Sequence, residues 1–267
     1  MASNEGREQH ASDMHVPSHS VQTILRAAVR KAGTFLGGLG IILVAGIVVA
    51  AIGTWIFGEF ADIVMEGKTQ KLDEAVLRWV ETHHTPALDE AMLEITALGT
   101  GIVVLMVVGI SSLFLALTRH RYSALLLLVA TGGGIILNNV LKMFFDRPRP
   151  QIFEWGEHAS TSSFPSGHAM SATIVYATVA YLAARLAKKR WMRWITILGA
   201  AIVIALIALS RMYLGVHYPS DVMAGAIIGL AWAAFCMATL EAVQRFGGRS
   251  GREIRKVEQP APEPETT

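Results

Sequence analysis

The chain has 267 residues, of which 52% are hydrophobic and 16% are charged, with a formal net charge of +2 and a mean hydropathy of +0.44. An ordinary globular chain has about 25% charged residues. This apolar balance excludes a disordered chain, a basic nucleic-acid-binding domain and a disulfide scaffold, and the one cysteine, Cys236, excludes an intramolecular disulfide. The composition predicts a polytopic membrane protein.

Six windows along the chain lack Asp, Glu, Lys and Arg and are dominated by apolar residues. These windows are 32–58, 95–118, 122–141, 169–184, 194–210 and 222–240. A membrane-spanning helix needs roughly 17–25 residues, and six windows in series favour spans over the buried helices of a soluble core. The sequence therefore predicts an all-α, six-helix transmembrane bundle in one domain, 31–245. The flanking segments 1–30 and 246–267 are polar and are predicted to be largely disordered tails.

Lysine and arginine residues lie on alternate connections between the windows. They precede the first window, occupy the connections at 119–121 and 185–193, and follow the last window. The connection 59–94 has three basic residues against nine acidic ones. Because positive charge is retained in the cytoplasm, both tails are expected there and 59–94 is expected outside.

One part of this outer connection, 70–97, has the periodicity of an amphipathic helix. We expect it either to lie on the outer membrane surface or to form a solvent-exposed connector.

Ionisable residues stand at the outer ends of the last four windows. Such residues at the edge of the hydrocarbon core are costly and usually functional, so their common side indicates one site. Three cations there, Lys142, Arg149 and Arg211, suffice to hold a phosphate dianion, with bidentate geometry from arginine and a point charge from lysine. Taken singly, Lys142 and Arg211 are as well explained as side chains that reach from a helix end to the membrane surface.

The segment 163–168, Ser-Phe-Pro-Ser-Gly-His, has the residues of a helix start, where free backbone N–H groups favour an anion. His168 and His217 can supply an acid and a nucleophile. Asp221, four residues after His217, is expected to accept the imidazole N–H and fix its tautomer. Alone, these residues also fit a cap, an interface histidine and a first-turn acid.

Three motifs follow one another along the chain: Lys142-x6-Arg149-Pro150, Pro165-Ser166-Gly167-His168 and Ser210-Arg211-x5-His217-x3-Asp221. Together they resemble the signature of the type 2 phosphatidic acid phosphatase (PAP2) family. That family contains integral-membrane lipid phosphatases, soluble acid phosphatases and vanadium haloperoxidases, and the predicted spans favour the membrane branch.

The resemblance implies a role for each motif residue. His217 attacks phosphorus and forms a phosphohistidine, Asp221 orients His217, and His168 protonates the departing oxygen and then activates water. The groups implied to hold the phosphoryl oxygens are Lys142, Arg149, Ser166, Gly167 and Arg211.

Other residues near the motifs are predicted to have structural roles and not to contact the substrate phosphate. Arg147 is expected to be solvated or to face headgroups, and Asn138 to join helices. Gly225 and Gly229 are expected to form a close-packing surface. No cluster of carboxylates, cysteines or histidines calls for a metal, so neither a metal nor another cofactor is expected.

The sequence thus predicts an integral-membrane, metal-independent lipid phosphatase whose partners are a lipid phosphate and the bilayer, not nucleic acid. The oligomeric state stays open. If the source is bacterial, we expect the inner membrane, an extracytoplasmic site and undecaprenyl diphosphate as substrate, with phosphatidate or phosphatidylglycerophosphate as alternatives. Two other classes remain as hypotheses, a vanadate-dependent haloperoxidase-like oxidant and a non-catalytic lipid binder or transporter.

Overall fold

The computed structural model describes residues 44–152 and 161–257, with side chains as far as Gln244. The described residues form helices and contain no strand, which confirms the all-α prediction. The helices are α1 Val44–Met65, α2 Gln70–Glu81, α3 Pro86–Ala97, α4 Gly101–Leu117, α5 Arg121–Phe144, α6 Gly167–Leu186, α7 Arg190–Tyr213 and α8 Pro219–Val257.

Among the described residues, five helices are each long and apolar enough to cross a membrane: α1, α5, α6, α7 and the Pro219–Gln244 part of α8. Helices α3 and α4 pass the same test only as a pair, bent by 48° at their junction. The predicted window 95–118 therefore corresponds to the end of α3, the bend and α4. A polytopic helical bundle is confirmed, with the bent pair as its sixth candidate span.

Several helices extend beyond the charge-free windows. Helix α1 continues through Glu59 and Asp62 to Met65, and α5 includes Lys142 in its last turn. Backbone hydrogen bonding does not stop where the hydrocarbon ends, so a window that stops at a charge underestimates helix length.

Of the two predicted tail boundaries, only the one at 245 lies within the described residues. Helix α8 continues to Val257, past the predicted boundary at 245. Residues 246–257 contain no proline, so every residue of this segment has the backbone N–H that a helix requires. The predicted tail 1–30, part of the first window (32–43) and residues 258–267 lie outside the described residues.

Helices α6 and α8 form the centre of the bundle. In the most apolar part of each helix, 56% of α6 and 44% of α8 is buried, against 17% in α1 and α7. Glycines on α8 allow the close approach: a Cβ on Gly225 would lie 2.5 Å from the Ser166 oxygen, and one on Gly229 would lie 2.9 Å from the Met170 oxygen. The predicted close-packing surface is confirmed, and it brings the starts of α6 and α8 together.

The outer connection folds into two helices, α2 and α3, here called the outer helix pair. Thr85 caps α3 by accepting a hydrogen bond from the Leu88 N–H at 3.3 Å, and Pro86 occupies its first position. The pair packs against α7 and α8. Leu77 is fully buried and Met92 is partly buried. The predicted amphipathic periodicity is confirmed, but the pair is neither a free connector nor only a surface helix.

Candidate active site

His217 lies in the tight turn between α7 and α8 and is 2% exposed. Gly215 in this turn has φ +64°, a conformation that favours glycine. The Val216 N–H donates to the Arg211 oxygen at 3.3 Å, which closes the turn. This geometry sets His217 directly before the first turn of α8, which contains Asp221.

Ser163 lies between the His217 ring and the Asp221 carboxylate. The Ser163 hydroxyl donates to Asp221 Oδ2 at 2.5 Å and lies 3.3 Å from His217 Nδ1. The direct distance from Nδ1 to Oδ2 is 3.7 Å, too long for the predicted hydrogen bond between His217 and Asp221. Because the serine gives its one hydrogen to Asp221, its oxygen is free to accept the Nδ1–H. Asp221 therefore orients His217 mainly through Ser163.

The protonation state of His217 follows from this environment. Burial lowers the pKa of His217 to about 4, while the nearby Asp221 carboxylate opposes that shift. The imidazole is thus neutral at physiological pH. With hydrogen on Nδ1, the lone pair is on Nε2, as a nucleophile requires.

The three predicted cations act on the same small region. All three act electrostatically on His168, and Arg149 and Arg211 also act on His217, although the three cations come from separate segments. Lys142 Nζ donates to the Ser162 oxygen at 3.1 Å and Arg149 Nε to the Thr161 oxygen at 3.1 Å.

Further hydrogen bonds fix the two arginines. Arg149 Nη1 donates to the Val216 oxygen at 2.9 Å, immediately before His217. Arg211, which is buried, donates from Nη1 to Thr96 Oγ1 of the outer helix pair at 2.8 Å. The structure therefore brings the predicted phosphate-binding cations together around His217.

The start of α6 completes this region. Ser166 is the N-cap residue and is fully buried, but its side chain makes no capping hydrogen bond. Within 44–152 and 161–244, neither Ser166 Oγ nor His168 Nε2 has a hydrogen-bond partner. A hydroxyl, a ring nitrogen and the first backbone N–H groups of α6 are thus available to an anion.

A cavity of about 210 Å³ lies beside His168, between α4, α5 and α6. Most of its wall is apolar, including Val104, Ile135 and Ile174, and Asn138 also lines it. Asn138 Oδ1 has no hydrogen-bond partner among the described residues, so this oxygen does not join helices as predicted. The cavity gives an apolar group bound near His168 a place within the bundle.

Arg147 departs from its predicted role. It is 6% exposed, and its Nη1 donates to Asp221 Oδ1 at 2.6 Å. The expectation of a solvated or headgroup-facing side chain is wrong, because Arg147 turns inward to a buried carboxylate. Its neighbours at 146 and 148 are exposed, so the inward direction is specific to this residue.

Comparison with known proteins identifies the family. Residues 123–245 match the model of the PAP2 superfamily. Phosphatidylglycerophosphatase B of Bacillus subtilis is 35% identical over 181 residues, which are 66% of this chain and 87% of that protein. The chain belongs to the PAP2 superfamily.

A solved structure supports the assignment of this chain to the membrane branch of the PAP2 superfamily. The crystal structure of a transmembrane PAP2 type phosphatidylglycerolphosphate phosphatase from Bacillus subtilis is similar with a TM-score of 0.69 and 31% identity, covering 74% of this chain and 98% of that one. An undecaprenyl-diphosphatase of Sulfolobus acidocaldarius is 29% identical over 157 residues, 57% of this chain and 68% of that protein. The chain is therefore an integral-membrane PAP2 phosphatase, a class whose relatives act on lipid phosphates.

The PAP2 motifs identify only part of the region. Sequence reasoning did not assign functions to Ser163, Thr96 or Asp73, which contact Asp221, Arg211 and Arg147 respectively. Two of these partners lie in the outer helix pair, far from the motifs in sequence. A usable signal was Asp73 itself, a carboxylate on an amphipathic helix one turn from the apolar Leu77.

Proposed function

We propose that this protein hydrolyses the terminal phosphate of membrane lipid phosphates through a phosphohistidine on His217. The observation that carries the proposal is the convergence of His217, His168 and three cations at one end of the bundle. His217 Nε2 attacks phosphorus and the bond from phosphorus to the lipid oxygen breaks, while His168 gives that oxygen a proton. A water molecule then returns a proton to His168 and attacks the phosphohistidine, which releases phosphate and restores His217.

The phosphate-binding groups in this proposal are those of the predicted motifs. Lys142, Arg149 and Arg211 supply positive charge, and Ser166 and the Gly167 N–H donate from the start of α6. Fixed cations and dipoles around the phosphoryl oxygens stabilise the charge of the transition state. Metal independence stays a prediction of this arrangement.

A lipid rather than a soluble ester is favoured by the surroundings of His168. The cavity of about 210 Å³ between α4, α5 and α6 borders this histidine and has a mainly apolar wall. A lipid can place its phosphate among the cations and its first carbons in this cavity while the chain stays in the bilayer. We propose phosphatidylglycerophosphate and undecaprenyl diphosphate as substrates, with the diphosphate favoured because phosphate is the better leaving group.

A panel of substrates in mixed micelles tests this proposal. We expect the purified protein to hydrolyse undecaprenyl diphosphate, phosphatidylglycerophosphate and phosphatidate with similar KM, because charge holds the reacting phosphate. A water-soluble phosphate ester should show a much lower kcat/KM, and a chelator such as EDTA should leave turnover unchanged. A soluble ester equal to the best lipid would contradict the lipid assignment, and loss of turnover in EDTA with recovery in Mg²⁺ would contradict the metal-free mechanism.

We also propose that the site faces outward from the inner membrane of a bacterium, with both termini in the cytoplasm. The basic residues at the start of α5 and between α6 and α7 lie at the ends of these helices opposite the site, and this is the end expected in the cytoplasm. An outward site suits the hydrolysis of lipid phosphates in the outer leaflet.

Single cysteines introduced by Glu81→Cys and Lys189→Cys in a Cys236→Ser background test this orientation. Both positions are exposed, whereas Cys236 is buried. In right-side-out spheroplasts an impermeant maleimide should label the cysteine at 81, and the one at 189 only after permeabilisation. The opposite labelling pattern would place the site in the cytoplasm.

A further inference from the structure

Asp73 connects the outer helix pair to the start of α8. It lies in the first turn of α2 and is 2% exposed. Its Oδ1 accepts the Ser220 N–H at 3.0 Å, and its Oδ2 accepts the Ser220 hydroxyl at 2.5 Å. The backbone N–H groups at a helix start need acceptors, and here a residue of another helix satisfies one of them.

Arg147 bridges Asp73 and Asp221. From Nη1 it donates to Asp221 Oδ1 at 2.6 Å, and from Nη2 to Asp73 Oδ2 at 2.9 Å. It also donates to the Ser220 hydroxyl at 2.7 Å, and its guanidinium lies 4.2 Å from the centre of the Tyr218 ring. One buried cation is thereby held between two buried carboxylates.

The second oxygen of Asp221 remains for the His217 side. Oδ2 accepts the Ser163 hydroxyl at 2.5 Å and the Tyr218 N–H at 2.8 Å, while Oδ1 accepts from Arg147. Each carboxylate oxygen therefore has its own set of donors. The division keeps Ser163 between Asp221 and the His217 ring.

We infer that Asp73 and Arg147 are positioning residues for the phosphatase reaction, so that the outer helix pair contributes one side chain, Asp73, to the orientation of His217. This inference rests on the proposed function of His217. Asp73 and Arg147 act through Asp221, not on the substrate. Asp73 anchors Arg147, and Arg147 holds the carboxylate that orients His217.

Charge explains why a second carboxylate is needed. The His217 ring becomes positive when it bonds to phosphorus, and nearby negative charge stabilises that state. If Arg147 had Asp221 as its only anionic partner, it would neutralise this carboxylate. Because Arg147 shares its charge with Asp73, Asp221 retains negative charge for His217.

The geometry of the arginine also indicates that Asp73 is needed to keep Asp221 in place for His217. Without the Asp73 charge, the guanidinium is free to turn towards Asp221 and contact both of its oxygens, which is the favoured geometry of an arginine–carboxylate pair. Arg147 would then compete with Ser163 for Oδ2. His217 would lose its fixed orientation, while the hydrogen bonds that hold Lys142 and Arg149 to residues 161–162 would persist.

The test compares Asp73→Asn with Glu81→Gln, a matched loss of a carboxylate at an exposed position of the same helix. We measure kcat and KM for phosphatidylglycerophosphate in mixed micelles and Tm in detergent. For Asp73→Asn we expect kcat to fall about 10-fold. The loss of one hydrogen bond to a charged group changes a rate by about this factor when the bond stabilises the transition state. KM should stay unchanged, and Glu81→Gln should match the wild type in all three quantities.

Three outcomes overturn the inference. A kcat for Asp73→Asn equal to that of Glu81→Gln would show that Asp73 has no part in the reaction, and a raised KM with unchanged kcat would make it a substrate-binding residue. An inactive wild-type protein would overturn the proposed function and this inference together.

If Asp73→Asn fails to fold, Ser220→Ala decides, because it removes one contact of Arg147 and Asp73 without burying an unpaired charge. A lowered kcat with unchanged KM supports the inference. An unchanged kcat overturns it.

Discussion

The variant His217→Ala is expected to lose turnover by on the order of 1,000-fold or more, the scale seen when a nucleophile is removed. Among the described residues, His217 is the histidine whose ring contacts Ser163, so no other imidazole is placed to act as the nucleophile. The remaining cations would still bind phosphate, so the loss should appear in kcat. The measurement is phosphate release from phosphatidylglycerophosphate by the purified variant.

His83→Ala is the matched control, since it removes an exposed histidine of the outer connection. It should retain wild-type kcat and KM. Turnover of His217→Ala near that of His83→Ala would remove His217 from the mechanism.

A second large effect is expected for His168→Gln. General acid–base catalysis contributes about 100- to 10,000-fold, and His168 Nε2 is a buried nitrogen with no hydrogen-bond partner among the described side chains. For phosphatidylglycerophosphate, whose leaving oxygen becomes an alkoxide, we expect kcat to fall by about this amount. For undecaprenyl diphosphate the first step should suffer less, because phosphate leaves without needing a full proton.

The comparison of the two substrates makes this prediction specific. In His168→Gln the ratio of kcat for the diphosphate to kcat for the monoester should rise above the wild-type ratio. Equal losses for both substrates would place His168 in water activation alone, and no loss for either would exclude it from proton transfer.

Much of the fold follows from hydropathy because a bilayer requires long apolar helices. The windows at 122–141 and 194–210 lie inside α5 and α7, and the alternating basic connections predict a direction for each helix. The 48° bend between α3 and α4 has no comparable pattern. It depends on tertiary contacts: a Cβ on Gly99 would lie 2.7 Å from Ile207 and 3.1 Å from His168.

The predicted site residues meet because each stands at a helix end or in the connection beside it, on the same side of the bundle. That reasoning needs only the spacing of charges and the alternation of spans. It also explains the error at Arg147, which a linear reading places beside a motif and outside the membrane. The partners that draw this side chain inward are Asp73 and Asp221, each more than 70 residues away in sequence.

The expectation for Asp221 shows a similar limit. Its position four residues after His217 predicts proximity, and the structure gives 3.7 Å between Nδ1 and Oδ2. Sequence spacing does not specify whether a third group lies between them. Ser163 takes this place because the close packing of α6 against α8 brings the segment before α6 over the first turn of α8.

The measurement that tests the central claim most directly is detection of the covalent intermediate. The purified protein is mixed with phosphatidylglycerophosphate carrying a radiolabelled terminal phosphate and is quenched during turnover. We predict a protein-bound label that is stable in base and labile in acid, that maps by mass spectrometry to the peptide containing His217, and that is absent from His217→Ala. Rapid turnover with no bound label, or a label on another residue, would contradict a phosphohistidine mechanism at His217.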